Sequence, residues 1–126
     1  MSRRSIGANA VLGLTAGMLM ATAMPLAAEA AEMSTKAEIT AAVSDKTYQG
    51  SMLKDAFAEY YAPDGTIKGK DYSGKWRVTD GTMCFQYGDT AERCWDVRVE
   101  GPSMTMFRDG EVHGNGMLVD GNPHKF

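Results

Sequence analysis

Between residues 74 and 87 apolar and polar positions alternate. Trp76, Val78, Met83, Phe85 and Tyr87 are separated by Arg77, Thr79, Thr82, Cys84 and Gln86. Side chains on a strand point alternately to its two faces, so a period of two predicts strands with one buried face. Asp80-Gly81 lies between the two runs and is a favoured two-residue hairpin turn. Folding there pairs Val78 with Met83, Trp76 with Phe85 and Gly74 with Tyr87, all on one face, and leaves Cys84 on the other. The next run is Cys94-Trp95-Asp96-Val97-Arg98-Val99, with Trp95, Val97 and Val99 sharing a face opposite Cys94. A hairpin turning at Gly88-Asp89-Thr90 sets Met83 against Trp95 and Cys84 across from Cys94. It also brings Arg93 to the face of Phe85, near the rim.

The same grammar extends over most of the chain. Turn signals recur at Pro63-Asp64-Gly65, Asp80-Gly81, Gly88-Asp89, Gly101-Pro102, Asp109-Gly110 and Asp120-Gly121. The runs between them predict about eight strands, near 47–52, 55–62, 66–70, 72–79, 82–87, 92–100, 103–108 and 111–119. Ahead of them, Thr35 and Glu38 have capping-box spacing, and Ile39, Ala42 and Val43 form a short apolar stripe. This predicts a helix over Lys36–Ser44, too short to stand alone and so packed on the sheet or plugging one end. With no long helix to cover the apolar face, the sheet should close on itself. The expected fold class is all-β with one short N-terminal helix: a small antiparallel meander β-barrel, lipocalin-like in architecture. A two-sheet sandwich is the alternative.

The first thirty residues follow a different pattern. Arg3 and Arg4 precede an uncharged stretch from Ile6 to Met24, Pro25 ends it, and Ala28-Glu29-Ala30 supplies small residues where a signal peptidase reads. This reads as a cleavable secretory signal peptide over 1–30, with a single β-barrel domain over 31–126. The expected location is the periplasm or the secreted space. The mature chain loses Arg3, Arg4 and Glu29 and keeps 11 basic and 15 acidic residues, a net charge of −4. Without a basic cluster it has no footprint for nucleic acid or for anionic membrane surfaces. The cysteine pair, Cys84 and Cys94, is most simply a structural disulfide in an oxidising compartment. That agreement favours ordinary export of an unfolded chain over the twin-arginine route echoed by Ser2-Arg3-Arg4.

Several strings carry a resemblance. Tyr60-Tyr61-Ala62-Pro63-Asp64-Gly65-Thr66, Tyr72-Ser73-Gly74-Lys75-Trp76, Met83-Cys84-Phe85-Gln86-Tyr87 and Cys94-Trp95 resemble small exported proteins of Gram-negative bacteria that carry a domain of unknown function. That resemblance covers roughly Thr47 to Pro123. It implies a secreted β domain with a disulfide and supplies no activity.

Candidate chemistry is sparse. Met104 and Met106 are two apart on one strand, and folding at Asp109-Gly110 places Met106 opposite His113. Soft sulfur with imidazole suits Cu(I) or Ag(I). The run Pro102-Ser103-Met104-Thr105-Met106 is similar to the metal-binding strand of Cus-type periplasmic copper and silver chaperones, a resemblance that implies copper binding. That family has a Trp three residues before the first Met and a His upstream, where this chain has Gly101 and no mature His before His113. The competing reading makes Met104 and Met106 core residues packed against Val99 and Val97. Glu59 and Asp96 could face each other across a barrel mouth. Tyr61 should pair with Ile67 on the core side, which leaves Tyr60 outward beside Lys68 as a possible partner contact. No nucleophile elbow, phosphate loop or calcium loop is present. The leading expectation is therefore a non-enzymatic, cofactor-free monomer that binds a small ligand or an envelope partner. Copper or silver binding is a second reading, and an inhibitor or stress-response protein acting through hairpin loops a third. If the aromatic and Met residues fill the barrel, binding must use the rim or outer face rather than a cavity.

Overall fold

The structure, a computed structural model, describes Gly13, Gly17 and residues 32–126. Apart from those two glycines, the expected leader over 1–30 lies outside the described residues. Eight strands follow one helix: α1 (Lys36–Val43), β1 (Lys46–Met52), β2 (Asp55–Tyr61), β3 (Thr66–Gly69), β4 (Tyr72–Thr79), β5 (Thr82–Tyr87), β6 (Arg93–Glu100), β7 (Ser103–Arg108) and β8 (Glu111–Asp120). Each strand pairs with the next, and β8 returns to β1, so the sheet is a closed antiparallel barrel. Closure removes the sheet edges that an open meander would expose.

The registers follow from the alternation. Val78 faces Met83, Trp76 faces Phe85 and Gly74 faces Tyr87. Cys84 faces Cys94, and the two are joined by a disulfide between β5 and β6. Gly65, at φ +92°, closes the turn that sets Tyr61 against Ile67 and Tyr60 against Lys68. Inward positions form one core that includes Tyr48, Tyr61, Ile67, Met83, Phe85, Val97, Met104 and Met106. Outward positions such as Ser73, Lys75, Arg77, Asp96 and Glu100 are polar and exposed. This is the reverse of the apolar outer band of a membrane-spanning barrel. No helix among the described residues is long and apolar enough to cross a membrane.

The two ends of the barrel differ. Helix α1 touches β1, β4 and β6, strands from different sides of the barrel, and so lies across one end. Its cap is a full capping box: Thr35 accepts from the Glu38 backbone, and the Glu38 side chain accepts from the Thr35 backbone. Ile39 and Val43 are fully buried in the core. Ser34 fixes the approach, accepting from the backbone N–H of Val99 through its hydroxyl and from Gly81 through its carbonyl. The β1–β2, β3–β4, β5–β6 and β7–β8 turns all lie at the other, unplugged end.

One register differs from the sequence reading. Phe107 pairs with Val112, but Met106 pairs with Gly114, because a bulge inserts His113 as an extra residue on β8. Met106 is therefore opposite Gly114 and not His113.

Candidate functional site

The inward faces of β2, β4, β5 and β6 converge below the open end on a cavity of about 350 Å³. Its wall is almost entirely aromatic. Phe57 and Tyr61 come from β2, Tyr72 from β4, Phe85 and Tyr87 from β5, and Trp95 from β6. Met52, at the end of β1, completes the apolar lining. The rings brace one another: Tyr72 meets Tyr87 edge-on at 5.7 Å, and Phe85 meets Trp95 edge-on at 5.6 Å. The aromatic residues thus line the barrel without filling it.

Glu59 also lines this cavity and is fully buried. Its position follows from strand parity. Tyr61 points inward against Ile67, so Glu59, two residues earlier on β2, must point inward as well. Three phenol groups donate to its carboxylate. Tyr61 reaches Oε1 at 2.9 Å, Tyr72 reaches Oε2 at 2.9 Å, and Tyr87 reaches both oxygens at 2.9 and 3.0 Å. Among the described residues, no Lys, Arg or His forms an ion pair with Glu59. Burial pushes its carboxyl above the ordinary carboxylate range, and the three donors pull it part of the way back. The tyrosines respond in kind. Burial, reinforced by the Glu59 charge, raises Tyr61, Tyr72 and Tyr87, and pushes Tyr48 up to about 12. All four phenols are neutral at physiological pH.

A glycine makes room for this cluster. Gly69 is paired with Tyr72 across the β3–β4 hairpin, and the Tyr72 ring lies over it. A Cβ on residue 69 would stand 2.1 Å from Tyr72 Cζ and 2.5 Å from its hydroxyl. Strand β2 pairs with β3 only through Tyr60 and Tyr61, so the β2–β3 seam is short. Tyr72, 39% exposed, stands beside that seam with its hydroxyl on the buried carboxylate.

Of the candidate site residues named from the sequence, Glu59 lines this cavity, and Asp96, Tyr60, Met104, Met106, His113 and the two cysteines do not. Asp96 points outward, where the Thr82 hydroxyl donates to it at 3.4 Å, so it does not face Glu59. Tyr60 is on the outer face, and its hydroxyl donates to Asp45 Oδ1 at 2.6 Å. Met104 and Met106 are fully buried in the core, opposite Val99 and Val97. His113 Nδ1 accepts from Trp95 Nε1 at 3.3 Å. Cys84, Cys94 and Glu92 lie close together, but both sulfurs are in the disulfide and Glu92 holds Arg77 through two hydrogen bonds.

No protein-family model, curated protein or solved structure matches the chain. The site is therefore read from its own geometry: an end-plugged antiparallel barrel with an aromatic cavity and one buried carboxylate.

Proposed function

We propose that this protein is a non-enzymatic binding protein that holds a small, largely apolar molecule in the cavity at the open end of its barrel, in the periplasm or outside the cell. The observation that carries this reading is the cavity itself. A close-packed interior leaves few voids larger than a water molecule. About 350 Å³ lined by six aromatic rings falls within the usual size of small-molecule pockets. The aromatic walls offer area for an apolar body, and the Glu59–tyrosine cluster offers one polar point to fix its orientation. Leu53 and Val112, 67% and 60% exposed, stand beside His113 at the same end and give the mouth an apolar lip. The disulfide agrees with an oxidising compartment.

Titration with N-phenylnaphthylamine, a neutral fluorescent probe, tests the reading. Saturable binding of one probe per chain is expected, with quenching of Trp95 and a loss of about tenfold or more when Met52→Trp fills the mouth. Absence of saturable binding, or affinity indifferent to Met52→Trp, refutes it.

A further inference from the structure

Glu59 sets a more specific requirement on what the cavity takes. Its carboxylate is enclosed by β2, β4 and β5 and carries no cationic partner among the described residues. Three phenol protons serve its two oxygens, which have about four acceptor positions between them, and the single Tyr87 proton is shared between the two oxygens. Buried charges in proteins are normally paired as well as hydrogen-bonded. The rings nearest the carboxylate are those of the tyrosines that bond it, and each donates its one hydroxyl proton there. Their π-faces, with those of Phe57 and Phe85, are a surface to which cations are attracted. Of the cation–π contacts among the described residues, the one at the cavity wall lies across the barrel, where the Arg108 guanidinium sits 4.6 Å from the Trp95 ring centroid and donates to the Cys94 carbonyl. That arginine is occupied on the β6 side and forms no ion pair with Glu59.

Building on the small-ligand reading above, we propose that the cavity selects organic cations, an apolar body bearing an amine or ammonium group, with Glu59 as counter-ion and Tyr61, Tyr72 and Tyr87 as its aromatic cage. The ammonium group enters against the ring faces, and an N–H takes the remaining acceptor position of the carboxylate. The groups facing Glu59 from the surrounding strands are Tyr48 on β1, Tyr61 on β2, Tyr72 on β4 and Tyr87 on β5, all neutral phenols. In the empty barrel, burial favours the protonated carboxyl. Cation binding therefore expels that proton, and affinity for a cation rises with pH by up to about tenfold per unit until Glu59 ionises in the empty barrel.

Three probes of one shape separate this inference from the reading it rests on: phenylbutylamine, phenylbutanol and phenylbutyrate, titrated by calorimetry from acid to mildly alkaline pH. The amine is expected to bind about tenfold or more tighter than the alcohol near neutral pH, and the acid more weakly than either. The amine should tighten with rising pH while the alcohol stays flat. Glu59→Gln should bring amine and alcohol within about threefold of each other and abolish the amine's pH dependence. Equal binding of amine and alcohol to the native chain, or an amine preference that survives Glu59→Gln, overturns the cation inference and leaves the cavity reading standing. No binding of any probe overturns both. If Glu59→Gln does not fold, the native pH series decides alone: an amine affinity as flat as the alcohol's refutes the inference.

Discussion

Gly69→Ala tests how the site is built, and the geometry sets its size. Gly69 lies outside the left-handed region, so alanine adds no backbone strain there. The whole effect falls on one side chain. The new methyl would stand 2.1, 2.3 and 2.5 Å from Cζ, Cε1 and the hydroxyl of Tyr72, so the ring must swing off the strand. That movement breaks its 2.9 Å hydrogen bond to Glu59, a charge-assisted contact worth about 1.5–3 kcal/mol. It also breaks the edge-on packing against Tyr87, worth about 0.5–1.5 kcal/mol. Opposing these losses, alanine in a strand gains about 0.5–1 kcal/mol over glycine. Tyr72 is 39% exposed, so part of what it loses is regained from water. The net loss is about 1.5–3 kcal/mol.

Urea unfolding followed by tryptophan fluorescence measures that loss, and a double-mutant cycle with Tyr72→Ala isolates its cause. Once the ring is gone the methyl has nothing to displace. In the Tyr72→Ala background Gly69→Ala should be neutral or stabilise by up to about 1 kcal/mol. The coupling between the two positions should therefore be about 2 kcal/mol or more. An equal cost in both backgrounds would falsify the argument, because the glycine would then serve something other than Tyr72.

Other perturbations separate the forces in the barrel. Cys84 and Cys94 close a loop with a sequence separation of 10, and chain entropy over such a loop gives about 2.7 kcal/mol of stabilisation; the Cys84→Ala, Cys94→Ala double variant should lose about that much in urea, and a loss below about 0.5 kcal/mol contradicts it. Burial raises the Glu59 carboxyl in the folded state above its unfolded value near 4.3, so the native state holds the extra proton and stability falls as pH rises from about 4.3 through the folded value. Glu59→Gln lacks that slope, so unfolding free energies measured from pH 4 upward should fall for the native chain relative to the variant over that window, and parallel curves refute the assignment. Ile39→Ala, in the fully buried face of the plugging helix, should cost about 2–4 kcal/mol in chemical denaturation yet leave cavity affinity within about twofold, because the helix closes the opposite end.

The fold was legible because its cues are local. Asp80-Gly81 and the flanking alternation set the β4–β5 register, and the same reasoning across Gly88-Asp89 put Cys84 against Cys94. The β7–β8 register went astray at one point, where the bulge at His113 shifts the partner of Met106 by one residue. Its signal was the small, polar run Gly114-Asn115-Gly116, where glycine marks bulges and close approaches in strands. There Gly116 takes the Tyr48 ring, since a Cβ at that position would stand 2.7 Å from Tyr48 Cζ. The Glu59 cluster was legible only in part. Parity places Glu59, Tyr72 and Tyr87 on the inner face, yet no parity rule says that three phenols from three strands converge on one carboxylate. Nor does it say that the space between them stays open. Both depend on barrel curvature and on the summed volume of inward side chains, which belong to the closed sheet rather than to any one hairpin.

The division of the barrel into two ends explains how a buried carboxylate is tolerated in a chain of this size. At the plugged end Ile39, Val43, Val97 and Met104 are fully buried, so the core there is apolar and its burial stabilises that end. The polar demand is displaced toward the open end, where the short β2–β3 seam and the exposed edge of Tyr72 keep Glu59 only one side chain from water. A buried carboxylate with no hydrogen-bond donors around it would have to be neutral or paired with a cation. One held behind a single tyrosine can take a proton or a cation from solvent and give it back. On the proposed reading, the same arrangement that limits the cost of Glu59 in the empty barrel leaves its carboxylate available to a ligand, so that stability and binding would draw on different ends of one small core.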